Sequence, residues 1–417
     1  MRSNDVIHFC PPARVVIGCG SRSQLPHLLQ RLGYRQGVLV TDEYFTHHTP
    51  WVREYVEAAL ECGIRTVVYD GGMPDPTTTL CDAATRALLE QLGEARPDHV
   101  IALGGGSNID LAKALCLTLI DGSPIKGFVG AMAQAPSCLP LVAVPTTAGT
   151  GSEATPGAIL VDPENATKVA VMDNQLRPVI ALIDPEFTYS CPPRVTADAG
   201  IDALTHAVES YLTLDSFEFD RQGNPDPGYS GRSTLTMSFA REAISLCARY
   251  LLRAYQDGCD KEARIGMAYA SHYAALSYGS SGLNAVHGIA YAVAGLTHKS
   301  HGSTNAVMLP YVLDELASAR RAEMLDVARI FGIDDGDEDA AVGKLPMLVR
   351  DIVAQLGIPA TLAEFGVERG QLPGLLEDAL QVTRLASAFP VADVAGAYGR
   401  IIERAFEGRF LYERVVT

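Results

Sequence analysis

Along the first half of the chain, short apolar runs alternate with amphipathic stretches of helical length. The runs are G-V-L-V (37–40), R-T-V-V-Y (65–69), H-V-I-A-L (99–103), L-V-A-V (141–144), K-V-A-V-M (168–172) and V-I-A-L-I (179–183). A strand covered on both faces has no polar side to alternate with, so the first three runs predict buried parallel strands, 141–144 a short apolar strand, and 168–172 and 179–183 two further strands. Residues 50–62 and 79–94 carry the 3.6-residue pattern of helices between them, and residues 15–18 add a strand at an edge. Strand and helix in alternation predict an α/β domain with a parallel sheet. D-P-E-F-T at Asp184 closes it. From about Pro192 the pattern turns to long helical segments rich in alanine and leucine, including 241–255 and 261–276, which predicts an all-α domain. The predicted domains are therefore 1–188 and 189–417. Residues 217–233, dense in Gly, Pro and Asp, form a loop in that domain, and the last hundred residues carry amphipathic patterns assigned to packing.

Composition narrows the class. A chain of 417 residues exceeds the usual limit of one core, which agrees with two domains. With 47% hydrophobic and 20% charged residues it is a packed globular protein. A net charge of −16 argues against nucleic acid and anionic membranes as partners and for a small-molecule substrate, an acidic one included, since a local pocket can be cationic. No apolar run has the length of a membrane span or signal peptide, and the nine cysteines include no C-x-x-C pair. A cytoplasmic protein with ordinary thiols is expected.

Chemistry concentrates in D-A-G-I-D-A-L-T-H-A-V-E-S-Y-L (198–212). On a helix, Asp202 and His206 lie one turn apart on one face, surrounded by Ala203, Leu204, Ala207 and Val208. A buried carboxylate needs a cation or a matched hydrogen bond. His287 and His301, in V-H-G-I-A-Y-A-V-A-G-L-T-H-K-S-H-G, raise the count to one carboxylate and three imidazoles, a set suited to iron(II) or zinc. In the first half, the strand at 99–103 runs into G-G-G-S-N-I-D-L-A-K-A (104–114), where glycines and a helix N-terminus suit pyrophosphate. The spacing departs from G-x-G-x-x-G, so no standard Rossmann unit is predicted. The strand at 141–144 opens into P-T-T-A-G-T-G-S-E, a hydroxyl-rich loop placed to hold phosphate or ribose.

The order and spacing of these motifs resemble those of the iron-containing, or group III, alcohol dehydrogenases over nearly the whole chain. The resemblance implies the dehydroquinate synthase-like architecture: an α/β dinucleotide-binding domain, an all-α metal-binding domain and an active site in the cleft between them. It places the metal ligands on Asp202, His206, His287 and His301, with Fe2+ as the expected ion and Zn2+ or Mn2+ as alternatives. The pyrophosphate loop falls on Gly104, Gly105, Gly106 and Ser107 with Asp110 behind it; Thr146, Thr147 and Thr150 form the hydroxyl loop, and Asp75 and Lys168 complete the cofactor contacts. Asp42 falls where a carboxylate accepts the adenosine ribose hydroxyl and repels a 2′-phosphate, which favours NAD over NADP. The chain departs from the family's pattern at Tyr291, where many members carry a proton-relaying histidine; His298 is the alternative relay.

The expected activity is metal-dependent hydride transfer between NAD(H) and a primary alcohol or aldehyde, in a homodimer or higher homo-oligomer. The alternatives are a nicotinoprotein-type or hydroxyacid-oxoacid transhydrogenase, which retains its nucleotide, a lyase or glycerol-1-phosphate dehydrogenase of the same architecture, and a regulatory protein that binds without turnover. Residues 217–233 somewhat resemble the transhydrogenase branch.

Overall fold

The computed structural model describes residues 6–130, 137–165, 167–221, 223–334 and 336–411. Backbone contacts divide the chain into two compact units, Cys10–Tyr189 and a helical unit beginning at Ser190 that also takes in Phe9. The first unit contains β1 (Arg14–Ile17), β2 (Gln36–Val40), β3 (Arg65–Tyr69), β4 (His99–Gly104), β5 (Leu141–Pro145), β6 (Gly157–Asp162), β7 (Thr167–Met172) and β8 (Ile180–Ile183). Six of these form one sheet in the order β1-β8-β5-β4-β2-β3, with every pairing parallel.

Side chains alternate across this sheet. Val38, Val40, Val100, Ala102, Leu141 and Ala143 pack toward the helices Thr78–Leu92 and Gly106–Thr118. Leu39, Ile101, Leu103, Val142, Val144 and Leu182 pack toward Leu25–Arg31 and Trp51–Glu61. Both faces are therefore apolar, which is why the strands read as unbroken runs. β1 lies at the sheet edge, as expected from 15–18. From β2 the chain moves outward to β3, and from β4 it moves the other way to β5. The strand order reverses between β2 and β4, and in open α/β sheets the crevice at such a reversal is the usual ligand position.

The run at 168–172 is a strand, but it does not join the parallel sheet. As β7 it pairs antiparallel with β6, which the sequence pattern did not mark, in a separate hairpin. The hairpin is anchored to the helix Gly106–Thr118 by two groups from that helix. Asp110 Oδ2 accepts from the Ile159 N–H at 2.9 Å. Lys113, fully buried, donates to Thr155 O, Thr155 Oγ1 and Gly157 O at 2.8–2.9 Å.

Burial lowers the Lys113 ammonium to about 8, with Asp110 opposing the shift. Its folded value thus lies below the 10.5 of an unburied lysine. Between these values the unfolded chain binds the extra proton, so the contribution of Lys113 to stability rises with pH across that window. Wild type should gain on the order of 3 kcal/mol relative to Lys113→Met between pH 8 and 10.5. Urea denaturation of both proteins at the two ends of the window checks this, and a constant difference would contradict it.

In the helical unit, Pro193–Leu212 is enclosed by Thr234–Gln256, Lys261–Ser281 and His301–Leu316, and every residue from Gly200 to Leu212 is buried. The enclosing helices approach closely where glycine allows it. A Cβ on Gly302 would stand 2.1 Å from Asp198 O, so the residue after His301 must be small for that helix to begin against Pro193–Leu212. Residues 217–233 form a loop, as expected, with Gln222 outside the described residues. Its end is docked by Ser230 and Gly231, whose N–H groups donate to Ser280 O and Ser281 O at 2.9 and 3.1 Å.

Candidate metal centre and dinucleotide cradle

Asp202 and His206 project from one face of Pro193–Leu212, His287 from the first turn of Ala285–Thr297, and His301 opens His301–Leu316. One ligand atom from each of the four lies within 4.8 Å of all the others. Asp202 Oδ1 is 3.6, 3.7 and 3.8 Å from the Nε2 atoms of His206, His287 and His301, and His206 Nε2 is 3.1 Å from His287 Nε2. Ligand bonds near 2.1 Å in a tetrahedral site imply donor separations of about 3.4 Å, so this spacing fits a single divalent ion. Asp202, His206 and His287 are buried, while His301 keeps some exposure.

The electrostatics point the same way. Burial pushes the Asp202 carboxyl up, but the fields of His206, His301 and His287 and a hydrogen bond from Asn305 outweigh it and hold it below its ordinary value. Burial drops His287 to about 4, so its ring is neutral. Asn305, one turn after His301 and fully buried, brings its Nδ2 to 2.8 Å from Asp202 Oδ1 and to 3.1 and 3.2 Å from His287 Nε2 and His301 Nε2. Its Oδ1 is buried without a partner. One amide is too few donors for a buried carboxylate and several imidazole lone pairs, and a cation would supply what is missing.

Glu209, which sequence reasoning left without a role, supports the set from behind. Its Oε1 accepts from Asn284 N and Val286 N at 3.2 and 2.8 Å, and its Oε2 pairs closely with His287 Nδ1. Holding Nδ1 turns Nε2 toward the other ligands, the carboxylate–histidine arrangement common at metal sites. Burial pushes the Glu209 carboxyl up to about 8 against the pull of the backbone N–H groups. The signal was present: Glu209 follows His206 by three on the same helical face. His206 stacks between Tyr278 and His287, at ring-centroid distances of 4.2 and 4.8 Å.

Tyr291 stands one turn beyond His287, stacked on His301 at 5.6 Å and edge-on to His287 at 6.3 Å. His298 lies at the C-terminal end of the same helix, Ala285–Thr297. It is exposed, holds the left-handed C-cap of Ala285–Thr297 at φ 55°, and contributes its backbone N–H to Ala294 O.

In the other unit, the glycine loop lies at the C-terminal end of β4. Gly104 has φ 148°, and a Cβ there would stand 2.2 Å from Asn108 Nδ2. A Cβ on Gly106 would stand 2.8 Å from Thr150 Cγ2, and one on Gly105 would stand 3.6 Å from Thr147. The hydroxyl loop thus closes over the glycines, and Thr146 N donates to Gly104 O at 3.0 Å. Gly105, the N-cap of Gly106–Thr118, has no side chain with which to cap the first-turn N–H groups, and such a terminus suits a phosphate.

Asp42 accepts from Tyr44 N through Oδ1 at 3.0 Å and from Asn108 Nδ2 through Oδ2 at 2.8 Å. Asn108, a further residue missed from sequence, therefore joins the loop after β2 to the loop after β4. Lys168 on β7 pairs with Asp75 at 2.9 Å, and Asp75 adopts φ 49°. Asp110 faces the β6–β7 hairpin, and burial raises its carboxyl above the ordinary range.

The family model for iron-containing alcohol dehydrogenase matches residues 12–185, and that for the C-terminal part of the Fe-containing alcohol dehydrogenase family matches residues 229–395. The chain is 34% identical over 398 residues to long-chain-alcohol dehydrogenase 1 of Geobacillus thermodenitrificans (strain NG80-2), covering 94% of this chain and 95% of that protein. It is 30% identical over 375 residues to the NAD-dependent methanol dehydrogenase of Bacillus methanolicus, covering 89% and 93%. The solved alcohol dehydrogenase from Oenococcus oeni matches with a TM-score of 0.87 at 26% identity, over 96% of this chain and 100% of that one. The α/β-plus-helical architecture expected from the sequence is the family's own, and the chain belongs to the iron-containing, or group III, alcohol dehydrogenases.

Proposed function

We propose that this enzyme catalyses reversible, NAD-dependent oxidation of a primary alcohol to its aldehyde, with a divalent iron or zinc ion held by Asp202, His206, His287 and His301. The observation that carries the reading is the convergence of one carboxylate oxygen and three imidazole nitrogens at tetrahedral spacing in a buried pocket of donors. When bound, the metal supplies Lewis-acid polarisation of the substrate oxygen, and NAD supplies the hydride acceptor.

The chain's own residues do the rest. Asp202 contributes the negative charge that a dication requires, and Glu209 fixes the tautomer and direction of His287. The neutral ring of His287 keeps its lone pair available for the ion. Tyr291, partly exposed and stacked on His301, is assigned the proton exchange between site and solvent. The glycine cradle, the open helix N-terminus and Thr147 and Thr150 support pyrophosphate binding. The fixed Asp42 carboxylate supports NAD over NADP.

The test is a screen of aldehydes with NADH and added iron(II) or zinc, read as loss of NADH absorbance. Metal-dependent loss with some aldehyde is expected, and its absence with all of them would overturn the reading. The cradle has its own check. In Gly106→Val the new side chain would occupy the space of Thr150, and NADH affinity by fluorescence titration should fall at least about 10-fold with metal content unchanged. Undiminished affinity would remove the loop from the cofactor site.

A further inference from the structure

The last hundred residues, read from sequence as packing, contain an arginine unlike the others. Arg384 lies in the short helix Thr383–Ala386 and is only partly exposed. Among the described residues, the other arginines that are not exposed all have a carboxylate or carbonyl partner, as Arg22, Arg232, Arg264 and Arg404 do. The guanidinium of Arg384 has neither; its contact is the ring of Tyr229, 5.4 Å from Cζ to centroid. In a chain with 49 acidic residues against 33 basic ones, a half-buried cation left without a carboxylate is conspicuous. A guanidinium withdrawn from water needs an anionic acceptor.

Its position says what that acceptor belongs to. Tyr229 packs over Gly282, where a Cβ would meet the tyrosine Cβ at 3.4 Å, just before the helix that carries His287. Leu385, next to Arg384, would meet a Cβ on Gly288, the residue after His287, at 3.5 Å. The arginine and its aromatic platform therefore bracket the first turn of the His287 helix.

We propose that Arg384 binds an oxyanionic group on the substrate, so that the enzyme acts on alcohols and aldehydes whose other end carries a carboxylate, sulfonate or phosphate. This rests on the function proposed above and narrows its substrate class. A guanidinium packed over an aromatic ring is held in place while its fork of donors stays available, which suits two parallel hydrogen bonds to one oxyanion. The reacting carbon then stands at the ligand cluster and the anion at the far end of the molecule.

The experiment compares ω-oxo acids of two to six carbons with n-aldehydes of equal length, using metal-loaded enzyme and NADH. Wild type, Arg384→Met, Arg384→Gln and Arg384→Lys are assayed, with thermal midpoints recorded. Wild type should favour the oxo acids. In the Met and Gln variants the ratio of kcat/KM between oxo acid and aldehyde should fall about 10- to 100-fold, chiefly through KM, with part of it restored by lysine. Sulfonate and phosphate analogues with the same Arg384 dependence would support the proposal and identify the oxyanion. Wild type that reduces plain aldehydes as well as charged ones, or variants that lower both alike, would overturn it and leave the alcohol dehydrogenase reading standing. Failure to reduce any compound would overturn both.

Discussion

Asp202→Ala is expected to leave the purified protein without bound metal and to lower turnover of any alcohol or aldehyde by at least about 1,000-fold, the order of effect when a Lewis acid is lost. Asp202 is the one anionic member of the set, and its Oδ1 faces all three imidazole Nε2 atoms within 3.8 Å. Removing it leaves three neutral rings to hold a dication in a buried place, where each uncompensated charge is costly. The dinucleotide cradle lies in the Cys10–Tyr189 unit and should retain its NADH affinity. Metal analysis, steady-state assays and a fluorescence titration on one preparation separate these outcomes. A metal-free variant with full activity would remove the ion from the chemistry.

The second large effect is expected at Glu209, a residue that touches no substrate in the proposed reaction. Glu209→Gln preserves the shape but leaves a single acceptor oxygen where Glu209 has two, so the backbone N–H groups of Asn284 and Val286 and the ring of His287 cannot both be held, and metal affinity measured by chelator competition should weaken about 10- to 100-fold. Glu209→Ala goes further. It strips the acceptor from Asn284 N, Val286 N and His287 Nδ1 together, all of them buried. Breaking a buried polar group of this kind costs about 3–5 kcal/mol, seen as a lower denaturation midpoint even with metal absent. If glutamine binds metal as well as wild type does, Glu209 serves the fold alone and not the ion.

Both predictions depend on contacts that sequence reveals unevenly. Asp202 and His206 could be read as a pair because helical spacing alone brings them to one face. Glu209 lies on that same face and went unassigned, since its partners, Asn284, Val286 and His287, are more than seventy residues away. Asn305 sits one turn after His301 and was equally silent: an asparagine in a helix has many uses, and only the convergence of three ligands on its amide gives it one here. Asn108 was part of the quoted glycine motif, yet its bond to Asp42 crosses from one strand end to another. Arg384 was hidden for the opposite reason. What marks it is the acidic partner it lacks, a property of its surroundings.

The hairpin shows the same limit in the fold. The run at 168–172 has the composition of a buried sheet strand, but Asp110 and Lys113 hold its neighbour β6 to a helix, and β7 pairs there instead.

By itself the sequence determined the α/β-then-α order, the strands β1 to β5 and β8, and the residue types of a metal site and a phosphate cradle. Those features depend on local periodicity and on residue chemistry, which the chain carries wherever it folds. Tertiary structure alone decided the strand order with its reversal between β2 and β4, the separate hairpin, the carboxylate behind His287 and the unpaired guanidinium near it. Each of these depends on which distant segments pack together, and packing is settled by burial and complementary surfaces that no single stretch of sequence contains.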